Sequence, residues 1–178
     1  CEISYGISYQ TDYSFDPPLM TGPIRSTGEE IAYLFPKLLN ERWWTTSCPL
    51  YRSSLVKKLG PWKDLLNEED WEFDARAARL QVSLVWVPMG VSIRCINVSD
   101  DHLSYGGCTN IRKLSDRVIS QQLLFEYAVS AGIQNIQSEM KIFSRSCFLL
   151  SRQCAFLGLE KETKNMFVLS RKASTKWR

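Results

Sequence analysis

Histidine is almost missing from this chain: His102 is the only one in 178 residues. Six cysteines are present (Cys1, Cys48, Cys95, Cys108, Cys147 and Cys154), but no two are spaced as a Cys-x-x-Cys pair. Without paired thiolates or a second imidazole there is no basis for a structural zinc site. A chain of this size with an ordinary core needs no disulfide staples, so reduced, cytosolic thiols are expected. The sequon Asn97-Val98-Ser99 would matter only in a secreted protein. Long apolar runs are also missing. The longest, VSLVWVPMGVSI, is too short for a membrane span and is broken by Pro88 and Gly90. No signal-peptide pattern opens the chain, which begins on Cys1 and reads as a piece of something longer. A net charge of only +3 leaves no footprint of a dedicated nucleic-acid binder. There is no Asp-x-Asp pair and no glycine-rich phosphate cradle.

What is present reads as an ordinary globular domain, with 44% apolar and 23% charged residues. EISYGISY alternates, with Ile3, Tyr5, Ile7 and Tyr9 on one face, and predicts a strand. The stretch 10–28 is rich in Pro, Gly, Ser, Thr and Asp and predicts a long loop. EEIAYLFPKLLN predicts a helix kinked or ended by Pro36. Trp43, Trp44, Thr45 and Thr46 suggest an extended, bulky segment. RSSLVKKLGPW predicts a short helix capped by Ser53 and stopped at Gly60-Pro61. A second helix is expected from Asn67 to about Leu80. Two β-rich runs, VSLVWVP and VSIRCIN, flank Met89-Gly90. A loop with Gly106-Gly107 follows, and from Asn110 the pattern is helical to the end. The fold class expected is α/β: a partial sheet with flanking helices over 1–108, then an all-helical extension over 109–178. A faint echo between FLLSRQCA and FVLSRKAS needs no more than two amphipathic helices of similar composition.

LLNEEDWEF, residues 65–73, concentrates three carboxylates against a tryptophan. One reading is a helix start. Asn67 is a suitable N-cap, Asp70 completes something like a capping box, and acids suit the positive end of the helix dipole. Trp71, Ala75 and Ala78 would then form a packing stripe, with Glu68 a solvated bystander. The tail SRKASTKWR carries Arg171, Lys172, Lys176 and Arg178 and no acid. A solvated end explains it, with contact to phosphate or an anionic membrane surface as the alternative.

The neighbours give the acids a second reading. In order, the chain holds Thr45-Thr46-Ser47, Tyr51-Arg52, Leu59-Gly60-Pro61-Trp62, Glu69-Asp70-Trp71-Glu72, Arg76, and Val85-Trp86-Val87-Pro88. This ordered set, over roughly half the chain, resembles the C-terminal half of family 2 glycosyltransferases. The resemblance implies a GT-A-type, Rossmann-like sheet and transfer of a sugar from a nucleotide-sugar donor, with inversion, to an acceptor hydroxyl. It implies Asp70 as general base and Glu69 as its partner, because an attacking hydroxyl must lose a proton late in the displacement. Adjacent acids raise one another's pKa values, which would suit a proton acceptor. Trp71, Trp44 and Trp62 are candidates for stacking on a sugar acceptor, each equally readable as a core residue.

The loop RCINVSDDHLS matches the family's donor-closing loop, where a basic or His residue meets diphosphate or metal. Here Arg94 and His102 lie eight apart, wider than the family's close spacing. Arg94 remains a candidate substrate contact, and His102 a candidate metal ligand or a merely solvated loop residue. The donor half, with its Asp-x-Asp for Mg²⁺ or Mn²⁺, would lie in roughly a hundred residues preceding Cys1. The fragment alone is then expected to be inactive. The partners implied are a nucleotide-sugar donor and a sugar or glycan acceptor, with no nucleic acid. The expected location is the cytoplasm or the cytoplasmic face of a membrane, with possible peripheral contact through the basic tail. The rival from another class is a non-catalytic interaction module that docks a partner through its helical tail.

Overall fold

The strand expected at the start of the chain forms, and it becomes the centre of the sheet. The computed structural model describes residues 1–96, 109–134 and 138–174. Strand β1 is Ile3–Asp12, β2 is Leu19–Thr21, β3 is Leu50–Tyr51 and β4 is Leu84–Ile96. The helices are α1 (Ser53–Leu59), α2 (Glu69–Arg79), α3 (Ile111–Ser130), α4 (Ser138–Phe156) and α5 (Glu160–Ala173). The architecture is mixed α/β, with strands and short helices first and three long helices last.

β1 pairs with β4 in parallel along its whole length. Its other edge is shared by two short antiparallel partners, β3 opposite Ile3 and Ser4, and β2 opposite Gln10 to Asp12. The two β-rich runs flanking Met89-Gly90 are therefore one strand of 13 residues. Its register slips between Gly6 and Ser8, where Ile7 faces Gly90 and Ser8 faces Ser92. Pro88, with no N–H to give a ladder, sits in this bulge. Gly6 makes the bulge possible: a Cβ there would lie 2.6 Å from Val91 Cγ1 and 2.8 Å from the Met89 carbonyl. The slip also breaks the alternation expected of β1. Ile3 and Tyr5 are buried, but beyond the bulge Ser8 and Thr11 turn inward. Ser8 is satisfied there by the Thr27 hydroxyl and by Ser92.

Residues 29–40 do not form the expected helix. Only Lys37–Leu39 makes a 3₁₀ turn. The Tyr5 hydroxyl instead organises the segment, donating to the Glu29 carbonyl at 3.0 Å and accepting from Ile31 N at 2.9 Å. Leu34, Phe35, Leu38 and Leu39 are all buried, so burial without helical periodicity holds this stretch. Trp43 to Thr46 likewise forms bends and turns rather than a strand, with both tryptophans in the core.

One continuous buried cluster runs from Ile3 and Tyr5, through Leu38, Trp44 and Ala75, to Leu114, Phe143, Met166 and Ala173. α3 begins at Asn110, whose side chain accepts from Lys113 N, and it packs along α2. α4 and α5 form a hairpin through Gly158, whose φ of 73° suits glycine. Small hydroxyl residues let these two helices approach. Ser144 donates to the Ser170 carbonyl at 2.8 Å and Ser151 to the Thr163 carbonyl at 2.9 Å. Ser151 and Ser170 are the serines shared by FLLSRQCA and FVLSRKAS, and both are buried in the hairpin seam. Among the described residues, no helix is long and apolar enough to cross a membrane.

Candidate functional site

Helix α2 starts one residue later than a cap at Asn67 would put it. Glu68 occupies the N-cap position with a left-handed φ of 62°, and no side chain caps the helix. The expected capping box fails because Asp70 has other partners. Its Oδ2 accepts from the Thr46 hydroxyl at 2.5 Å and meets Nη1 of Arg42. One turn later, on the same face of α2, Asp74 takes the rest of Arg42: Nε donates to its Oδ2 at 2.9 Å. The Trp44 indole N–H also reaches Asp74 Oδ2, at 3.1 Å, and the Tyr51 hydroxyl donates to Oδ1.

This arrangement follows from the cost of burying charge. Arg42 and Asp74 are both out of water, and a buried ion is tolerated only when paired and hydrogen-bonded. Burial pulls the Arg42 pKa down, but Asp74 and Asp70 more than offset it, and the group sits above its ordinary value. Burial pushes the Asp74 carboxyl up, against the pull of Arg42, Tyr51 and Trp44. The Tyr51 phenol is raised well above its ordinary value by burial and by Asp74. Asp70 differs in being partly open, with 22% of its side chain accessible. Among the described residues its Oδ1 takes no hydrogen bond. One cation against two carboxylates leaves the cluster net negative, with its open end at Asp70.

The other expected site residues divide. Glu69 is half-buried at the first position of α2 and takes no part in the cluster. Trp44 is fully buried and acts on the site only by donating to Asp74, so it offers no face to an acceptor. Trp71 donates to the Leu38 carbonyl at 2.8 Å and packs against the core. Trp62 is the exposed tryptophan of the three, stacked on Phe73 with ring centroids 5.4 Å apart. Arg94 is exposed on β4, opposite Gln10. His102 lies outside the described residues. Glu68 is no solvated bystander: its carboxylate pairs with Arg117 at 2.8 Å and accepts from Gln121 at 2.6 Å, and burial raises its pKa. It ties the start of α2 to α3.

Sequence reasoning missed Arg42, Asp74 and Arg25. A signal for Arg42 was present: an arginine directly before two tryptophans is a candidate for burial, and a buried arginine needs an acid. Asp74 stands one helical turn beyond Asp70, which is where to look for that acid. Arg25 lies close enough to feel the charges of Arg42, Glu41, Arg94 and Asp70. Its pKa is lowered by partial enclosure first and by Arg42 next. Arg76 is a clamp: it pairs with buried Glu72 at 3.0 Å and donates to the carbonyls of Leu59 and Pro61, locking the end of α1 to α2.

Among the described residues, no three His, Cys, Asp or Glu side chains gather where they would hold a metal, and Asp70 and Asp74 both face Arg42. No family model matches the chain, and no curated protein or solved structure matches it either.

Proposed function

We propose that this chain is the acceptor-side and C-terminal portion of an inverting glycosyltransferase of GT-A type, with Asp70 as the proton acceptor. The observation that carries the reading is the asymmetry of the two carboxylates on α2. Asp74 is buried and fully engaged, whereas Asp70 is held in place through one oxygen and leaves the other towards solvent. A general base needs this combination of fixed position and an accessible lone pair. In the reaction the acceptor oxygen bonds to the anomeric carbon as that carbon's bond to the nucleoside diphosphate breaks. The hydroxyl proton passes to Asp70. Thr46 and Arg42 orient the carboxylate, and Asp74 fixes Arg42.

Two exposed guanidiniums support an anionic donor on the same side. Arg25 is destabilised in its charged form first by partial burial, then by Arg42 and less by Arg94, and an anion beside it would relieve the repulsion. Trp62 is the aromatic face available to a sugar.

The test is Asp70→Asn in the full-length protein, supplied with donor and acceptor. Transfer is expected to fall by at least about a hundredfold with donor binding retained. Turnover near the unmodified rate would overturn the assignment. The second reading, a non-catalytic interaction module, is favoured by the exposed apolar residues of α4 and α5. Under it, Asp70→Asn changes no activity, and partner binding depends on the helical hairpin instead.

A further inference from the structure

The outward face of the α4–α5 hairpin combines large apolar side chains with cations and almost no acid. On α4, Ile142, Phe148, Leu149 and Phe156 are exposed at spacings that place them on one face. Lys141, Arg145 and Arg152 lie on the same face, and all three are exposed. From Met140 to Phe156 the helix has no carboxylate. On α5, Phe167 and Val168 are exposed beside Lys161 and Lys164. Phe148 and Phe167 meet at 6.4 Å, which joins the two faces into one surface. Phe156, at the end of α4, is 90% accessible. Between the helices a cleft of about 410 Å³, with Ala155, Gly158, Lys164 and Phe167 among its walls, adjoins the same surface, and the exposed Glu160 at its rim is the acid nearest these cations.

We propose that this face docks on an anionic lipid surface, with the cations at the headgroups and Phe156 and its apolar neighbours below them. Charge selects this occupant. A second copy of the chain would bring two basic faces together, and like charges repel. A leaflet rich in anionic lipid supplies opposite charge over a whole plane and accepts apolar side chains at the acyl boundary. No described helix is long and apolar enough to cross a membrane, so the hairpin would lie on the surface. This inference does not depend on Asp70 or on sugar transfer.

The experiment is co-sedimentation of the full chain with phosphatidylcholine vesicles, with and without phosphatidylserine, over a range of salt. Binding is expected only with phosphatidylserine and is expected to weaken as salt rises. Arg145→Glu with Arg152→Glu should lower partitioning by about thirtyfold or more, and Phe156→Ser by about tenfold. Lys57→Glu on exposed α1 should change it little. Absence of binding, equal binding to neutral vesicles, or loss equally severe in Lys57→Glu would overturn the proposal. So would a concentration-dependent dimer that Phe156→Ser dissolves, because the face would then be covered by a second copy. Circular dichroism on each variant checks that the hairpin is intact.

Discussion

The Nε of Arg42 donates to Oδ2 of Asp74 at 2.9 Å, with both side chains out of water. Removing one member strands the other. Arg42→Met is expected to destabilise the fold by about 3–5 kcal/mol, because Asp74 would stay buried beside Asp70 without a cation. Adding Asp74→Asn to Arg42→Met should recover part of that loss. Urea midpoints of the two single variants and the double variant measure it, and purely additive losses would contradict the coupling.

The two carboxylates of α2 should separate in their effects. Asp74→Asn removes a fully buried charge that three donors satisfy, and is expected to cost more than about 2 kcal/mol of stability. Asp70→Asn touches a partly solvated group and is expected to cost about 1 kcal/mol or less. Thermal unfolding of both variants decides this. A larger loss for Asp70→Asn would mean that the residue is scaffold.

Gly6→Ala places a methyl group 2.6 Å from Val91 Cγ1 and 2.9 Å from the Val87 carbonyl. Most of the crowding is against the backbone of β4, which has little room to yield. The expected cost is about 2 kcal/mol or more. Amide hydrogen exchange should show the loss concentrated at the bulge of β4. Unchanged protection there would show that the strand bends more easily than its contacts imply.

Tyr127 donates to Glu72 at 3.0 Å, and burial together with that carboxylate lifts its pKa to about 12 from 10.0. The folded chain therefore keeps a proton that the unfolded chain gives up. The stability this contributes is complete below about pH 10 and is lost as pH rises through about 12. Phe at this position lacks the ionisation, so Tyr127→Phe should lose less stability than the parent over that interval. Denaturant midpoints measured on both proteins across the range test the sign.

Elements with local periodicity were legible in the sequence. β1 and α1 each follow from a few residues of pattern, with Gly60 ending α1, and the helical pattern from Asn110 covers α3, α4 and α5 without dividing them. The misread elements depend on distant partners. Residues 29–40 carry a helical pattern, but the Tyr5 hydroxyl takes their backbone groups from across the core. β4 looks like two strands because Pro88 and Gly90 resemble a turn, and only its pairing with β1 turns them into a bulge. At the site, Asp70 stands out through its acidic neighbours. Arg42 and Asp74 do not, because their importance comes from being brought together while buried. Glu68 was misjudged for the same reason: Arg117 and Gln121, which hold it, lie about fifty residues further along.

The parallel pairing of β1 with β4 also bears on the order in which the chain assembles. Ile3 stands opposite Leu84, so the centre of the sheet waits for a strand 81 residues downstream. The α4–α5 hairpin closes through a three-residue turn and needs almost no search. The helical end is therefore expected to be structured early, and the sheet that carries Arg94 and braces the Arg42 cluster late. Substitutions in the bulge should therefore speed unfolding more than they slow folding, whereas destabilising substitutions in the α4–α5 seam should slow folding.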